Sequence, residues 1–327
     1  EIEALKEDVA KMEANGVNKI IALTHVGLPM DMRIAQSVPG IDLIIGGHSH
    51  TKMLNEEGSS HSYPEMVGNV PVVQAYAYSK YLGKLTVNFD ASGNVTSASG
   101  DPILLDASII PDEGTAKRIA EMAAPIEEMK KKVVAKAASD IDGDRANCRV
   151  RECQMGNLVA DAMLERVSSQ GVEIAIQNGG GLRASIGSGN VTMGDVLTVL
   201  PFQNTLSTFE VTGETIIAAL ENGVSQMEEV KGRFPQVAGI SFTVNPSAEV
   251  GSRISKVLVA GSPIDPGKTY KVVSNNYVRN GGDGYKMFRS ASNAYDYGPD
   301  LADVTAEFLA KQNGYQPYLD GRIDVTE

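Results

Sequence analysis

The chain of 327 residues lacks several features that would have fixed its class at once. It has no run of about 18 apolar residues, so no helical membrane span is expected. Cysteine is scarce, and the two present, Cys148 and Cys153, are too few for a four-cysteine zinc site. Their spacing in Cys-Arg-Val-Arg-Glu-Cys can be bridged in a loop but not easily in a regular helix. A disulfide in an oxidising compartment and a pair of reduced thiols therefore both stay open. Positive charge is in deficit, with 29 Lys and Arg against 41 Asp and Glu, a formal charge of −12. Such a surface repels a polynucleotide backbone, which counts against nucleic-acid processing. It does not exclude a small phosphate ester held by a local cluster of arginines or metal ions. No internal repeat or low-complexity tract occurs. The chain begins at Glu1 without a signal peptide, and is read as a fragment whose localisation no targeting segment reveals.

Histidine is also rare, yet half of the four histidines fall in one stretch, Ile41-Asp42-Leu43-Ile44-Ile45-Gly46-Gly47-His48-Ser49-His50-Thr51. The apolar run predicts a buried strand, and the glycines remove side chains at its end. A third histidine, His25, closes an earlier apolar run from Ile20 to Thr24, and Asp31 to Ser37 between the runs predicts a crossover helix ended by Pro39-Gly40. Strand, helix and strand in this order place both strands parallel and both ends on one sheet edge. His25, His48 and His50 are thus expected at the carboxyl edge, where open α/β sheets bind ligands. Neutral imidazoles so clustered suit zinc, manganese, iron or another borderline divalent ion.

The length suits about two domains, and 42% hydrophobic with 21% charged residues is ordinary for a globular protein. An amphipathic helix is expected over residues 1–15, strands over 71–78 and 83–89, and a turn at 90–94. His61 falls in a polar loop and reads as solvated rather than as a ligand. Residues 111–138 read as one long charged helix, opened by Pro111 and kinked or broken at Pro125, that connects a domain of residues 1–110 to one of residues 139–327. The second domain alternates helices near 155–167, 213–227 and 299–311 with strands near 172–177, 204–211, 239–244, 254–259 and 270–274. Thr192 and Asp195 form a capping-box pattern. The fold class is α/β, or α+β overall.

In the second half, Asn178-Gly179-Gly180-Gly181-Leu182-Arg183 offers backbone N–H groups beside a guanidinium, the side chain best shaped for phosphate oxygens. Phe202 and Tyr277 lie outside the expected core strands, where a planar base can stack between them, although lone aromatics are more often core. The glycine loop from Asn280 to Tyr285 carries one carboxylate, Asp283, suited to accept from ribose hydroxyls. Arg149 completes the candidate set.

Thr24-His25-Val26-Gly27 and Gly46-Gly47-His48-Ser49-His50 resemble the last two metal-ligand motifs of the calcineurin-like metallophosphoesterases, in their 5′-nucleotidase branch. Arg151 to Asn157, Asn178 to Arg183, Leu200-Pro201-Phe202, Phe209 to Gly213 and Asn280 to Tyr285 resemble that branch's C-terminal domain. The ordered blocks span essentially the whole chain. The resemblance implies part of a metallophosphoesterase sheet domain, a linker helix and a mixed α/β nucleotide-binding domain. It implies two divalent ions (Zn, Mn, Mg or Co), with His25 and His48 on one and His50 on the other. Phe202 and Tyr277 become a base-stacking pair, Asp283 the ribose acceptor, Asn178 a base contact, Gly180 part of the substrate loop, and Arg149 and Arg183 holders of phosphate or ribose oxygens. Tyr277 stands where many relatives have phenylalanine.

The family's first motifs, an Asp-X-His pair, a bridging Asp and an Asn-His-Asp/Glu segment, match nothing here. The expectation is therefore a fragment without the catalytic His/Asp dyad, inactive alone, from a periplasmic, cell-surface or secreted enzyme. The intact enzyme would cleave nucleoside 5′-phosphates, its second domain carrying the nucleoside to the metals by rotation on the connector. Alternatives are a nucleotide-binding module without chemistry, a related hydrolase of nucleotide sugars or cyclic nucleotides, and an interaction protein on a decayed enzyme scaffold.

Overall fold

Short apolar runs bring three of the strands before residue 117 into a parallel ladder. The computed structural model describes residues 2–326, which fall into two compact units divided between Lys117 and Arg118. In the first, Ile21–Leu23, Leu43–Ile45 and Val70–Val73 pair in parallel, and Glu65–Val67 adds an antiparallel edge. Helix Leu28–Ser37 makes the crossover between the first two strands, as the spacing predicts, and helix Ile2–Ala14 precedes them. Alternate residues divide between faces: Ala22, Ile44 and Val72 pack with Val9, Leu28 and Ile34 in one core. On the other face burial is uneven: Leu43 and Val73 are buried, but Ile21, Ile45 and above all Leu23, 83% exposed, are not. A long hairpin, Tyr81–Phe89 with Val95–Leu104, turns at Asp90–Asn94.

Two expected elements are shorter than the sequence suggested. The strand placed over 71–78 stops at Val73, because Tyr76, Tyr78 and Ser79 adopt φ of 63°, 57° and 53°, which no pleated ladder accommodates. The connector helix placed over 111–138 runs from Glu113 to Lys131 and passes through Pro125 without burying any residue. Val133–Ala137 leaves it to form a strand against Gly189–Thr192. That pairing is fixed by a partner some fifty residues away, so the local charge pattern could not announce it.

The second unit is built on a five-stranded sheet in the order Pro235–Ala238, Ile174–Asn178, Thr269–Asn275, Leu206–Thr212, Ser292–Tyr295. Its central pair, Ile174–Asn178 with Thr269–Asn275, is parallel and the rest antiparallel. Successive residues alternate between two cores. Ala175 and Val273 join helices Gln154–Val167, Met193–Val199 and Leu301–Lys311. Ile174, Ile176 and Val272 join helix Gly213–Val224 and a second sheet that contains Ile240–Val244 and Ile254–Val259. Helix Met193–Val199 opens on the foreseen capping box of Thr192 and Asp195. Cys148 and Cys153 form a disulfide with Cα atoms 5.1 Å apart. Helix Arg145–Cys148 ends at the first sulfur and helix Gln154–Val167 is capped by the second, which accepts from Gly156 N–H.

Candidate functional site

Because Ile21–Leu23 and Leu43–Ile45 are parallel, His25 and His48 leave the sheet at the same edge, and their rings meet edge to face with centroids 5.3 Å apart. Gly47 makes that approach possible, since a Cβ there would lie 2.9 Å from His25 Nδ1. His50 instead packs edge-on against Tyr78, at 5.3 Å. Among the described residues no three His, Cys, Asp or Glu side chains gather closely enough to hold one ion. Both His48 (φ 73°) and His50 (φ 54°) occupy the left-handed region, which side chains with a Cβ rarely adopt and which surrounding structure must enforce.

Gln74, 2% exposed and just past the strand Val70–Val73, supplies part of that enforcement. Its amide Nε2 donates to the Gly47 carbonyl at 3.1 Å and its Oε1 accepts from Thr51 N–H at 2.5 Å, so one side chain spans the His48-Ser49-His50 turn. Ser49 Oγ accepts from Leu28 N–H at 3.1 Å, tying the same turn to the start of helix Leu28–Ser37. Behind His25, the fully buried Asp31 accepts from Thr24 Oγ1 at 2.6 Å. Burial pushes the Asp31 carboxyl above its ordinary range, against the opposing pull of the Thr24 hydroxyl and of His25.

In the second unit the candidate residues converge on loops at the ends of two central strands. The strand Ile174–Asn178 runs into the turn Gly179–Gly181, where Gly179 and Gly180 N–H donate to the carbonyls of Phe234 and Gly232. Gly180 is required there, since its Cβ would stand 2.8 Å from Gly232 Cα. Asn178 Nδ2 donates to Asp283 Oδ2 at 2.7 Å, while Asn275 Nδ2 donates to Asn178 Oδ1 at 3.0 Å and to Gln177 Oε1 at 2.8 Å. Tyr277 Oη donates to Asp283 Oδ1 at 2.9 Å.

Arg183 lies with its guanidinium carbon 5.5 Å from the Phe202 ring centroid and donates to the Gly180 carbonyl at 3.3 Å. One set of contacts links Phe202, Arg183, Gly180 and Gly232, and another links Asn275, Asn178, Asp283 and Tyr277. Phe202 and Tyr277 are 55% and 47% exposed, so neither is a core aromatic. Arg149 sits inside the disulfide ring, largely buried, and donates to the Val230 carbonyl at 3.2 Å.

Sequence reasoning missed Gln74, Asn275 and the segment Val230–Phe234 that meets Arg149, Gly179 and Gly180. The buried strand Pro235–Ala238, also missed, delivers that segment. The block Arg151 to Asn157 proves to be largely architectural. Glu152 accepts from Asn157 Nδ2, Asp320 N–H and Gly321 N–H, and Gln236 donates to the carbonyls of Cys148 and Arg151.

The second unit is therefore an α/β sheet domain presenting a carboxylate, half-exposed rings and a guanidinium on glycine loops. Residues 133–290 match the family described as 5′-nucleotidase, C-terminal domain. The human 5′-nucleotidase is 36% identical over 351 residues, covering 99% of this chain and 61% of its own length. A Bacillus subtilis protein named trifunctional nucleotide phosphoesterase YfkN is 39% identical, covering 96% of this chain and 22% of its own length. The crystal structure of a 5′-nucleotidase precursor from Thermus thermophilus superposes with a TM-score of 0.78 at 39% identity, over 99% of this chain and 67% of that one. The chain belongs to the 5′-nucleotidase family. It spans about three fifths of the length of its human relative.

Proposed function

We propose that the full-length protein is a 5′-nucleotidase that hydrolyses nucleoside 5′-monophosphates to nucleoside and phosphate. The observation that carries this reading is the Asn178, Asp283 and Tyr277 set, which holds an acceptor carboxylate beside a half-exposed ring. A ribose offers hydroxyl donors to such a carboxylate and a base offers a flat face to such a ring. In this reading Phe202 and Tyr277 stack the base, Asp283 accepts from ribose, Asn178 reaches the base with its remaining N–H, and Gly180 lets the ligand approach the backbone. Arg183 and Arg149 hold anionic or ribose oxygens.

The histidine edge fits divalent metal ions. The 5.3 Å ring separation of His25 and His48 suits two imidazoles on one ion about 2.1 Å from each ring nitrogen. His50 would serve a second ion, and imidazole donors favour zinc or another borderline transition-metal ion over magnesium. Such ions supply Lewis acidity, which activates water and offsets charge on phosphoryl oxygens. The protein's own contribution is positional: Gln74 and Ser49 fix the turn that carries His48 and His50. The disulfide supports an oxidising location, periplasmic, cell-surface or secreted, and no described helix is long and apolar enough to cross a membrane.

Phosphate release from AMP by the metal-supplemented full-length protein tests this reading, and inactivity towards every nucleoside monophosphate would sink it. A second reading, a phosphoesterase with several nucleotide ester substrates, is favoured by the 39% identity to the trifunctional Bacillus protein. Cyclic nucleotides and nucleotide sugars in the same substrate panel separate the two.

A further inference from the structure

Asp283 has an unusual backbone and a carboxylate held at both oxygens. It sits at φ 51° between Gly281 (φ 88°) and Gly284 (φ 85°), a conformation its Cβ disfavours. The Tyr277 hydroxyl contacts it twice, donating to Oδ1 at 2.9 Å and accepting from the Asp283 N–H at 3.2 Å. The ring is fixed from a second side as well. A Cβ on Gly282 would stand 2.5 to 2.6 Å from three Tyr277 ring atoms, so the Gly282 backbone lies flat against one face. On the opposite flank of the carboxylate, Asn178 holds Oδ2, itself anchored by Asn275. Each carboxylate oxygen accepts about two hydrogen bonds, which leaves one acceptor direction per oxygen, set by the two fixed donors.

We infer that the Tyr277 hydroxyl is a specificity-determining latch, which joins the stacking ring and the Asp283 carboxylate into one preorganised unit and thereby sets the preference for sugars bearing hydroxyls. The inference rests on the nucleoside reading of this loop cluster. A phenylalanine here would keep the aromatic face and the Gly282 contact but lose both hydrogen bonds to Asp283, freeing that residue to leave its disfavoured backbone conformation. Burial, reinforced by the Asp283 charge and hydrogen bond, raises the Tyr277 pKa above its ordinary value, so the hydroxyl remains a donor at neutral pH.

The test is calorimetric titration of the full-length protein, as wild type, Tyr277→Phe, Asp283→Ala and the double variant, with adenosine and with 2′,3′-dideoxyadenosine. Dideoxyadenosine keeps the base contacts and lacks the 2′ and 3′ hydroxyls. Tyr277→Phe should weaken adenosine about tenfold, the worth of a hydrogen bond to a charged group, and dideoxyadenosine less than about twofold. Adding Tyr277→Phe to Asp283→Ala should cost nothing further, because the two residues act as one. Equal weakening of both nucleosides, an unchanged preference, or additive losses would overturn the latch. If the wild type shows no preference for adenosine, or binds neither compound, the nucleoside reading falls and the latch with it. If Asp283→Ala abolishes the preference and Tyr277→Phe keeps it, only the latch falls. Matching unfolding temperatures among the variants exclude loss of fold as the cause.

Discussion

The histidine edge and the glycine-loop cluster both sit at the ends of parallel strands, but they are finished to different degrees. In the loop cluster Asn178, Asn275, Tyr277 and Asp283 all find partners inside their own unit, and the supporting sheet has a core on each face. At the histidine edge the support is equally specific, through Gln74, Ser49 and Thr24, yet the sheet behind it is packed unevenly and leaves Leu23 open. The contrast teaches that the loop cluster is braced by polar partners of its own unit, whereas the strand leading to His25 turns Leu23 outward.

Several experiments on the full-length protein can break or sharpen that contrast. The largest effect is expected from His48→Ala, or from chelation of the metal. AMP hydrolysis should fall roughly a thousandfold or more while adenosine binding is untouched, and a parallel loss of adenosine affinity would show that the two regions are not separable. Next, Phe202→Ala with Tyr277→Ala should weaken adenosine binding by about 1–3 kcal/mol. Unaltered affinity in calorimetry removes the stacking role. Gln74→Ala should lower metal affinity about 10- to 100-fold, as loss of an outer-shell partner does, with nucleoside affinity as the unchanged control. Replacing Cys148 and Cys153 by serine should destabilise the second unit by about 2 kcal/mol in the chain-entropy model for so short a ring, read from denaturant unfolding.

The smallest effect concerns pH. The Arg322 hydrogen bond, more than any other influence, holds the Asp320 carboxyl below its ordinary value. A depressed folded pKa contributes stability above the unfolded value of about 3.9 and loses it as pH falls through the folded one. Unfolding midpoints should therefore drop in that acid window, and Asp320→Asn should flatten the drop. An identical acid slope in the variant would refute the assignment.

What the sequence disclosed follows the range of the interactions involved. The crossover between Ile21–Leu23 and Leu43–Ile45, the capping box at Thr192 and the glycine turn after Asn178 are set by neighbours within a few residues, and all were legible. Val133–Ala137 and Pro235–Ala238 were not, because each is a strand only by virtue of a distant partner. The same holds for the sites. The histidines, the exposed rings and Asp283 stood out by residue type and by the glycines beside them. Gln74 and Asn275 did not, since a buried amide becomes a brace only when the fold wraps polar groups around it. The missed signal at Gln74 was a polar residue directly following the apolar run Pro71-Val72-Val73.

The flat seat that Gly282 makes beneath Tyr277 has an evolutionary corollary. A mutant library at position 277 should tolerate any planar ring to some extent and tune the preference for sugars gradually. At position 282 even one methyl group would tip the ring out of place without altering a single recognition group. Divergence of substrate preference in this lineage is therefore expected to travel through residue 277, with residue 282 held as a fixed point of the design.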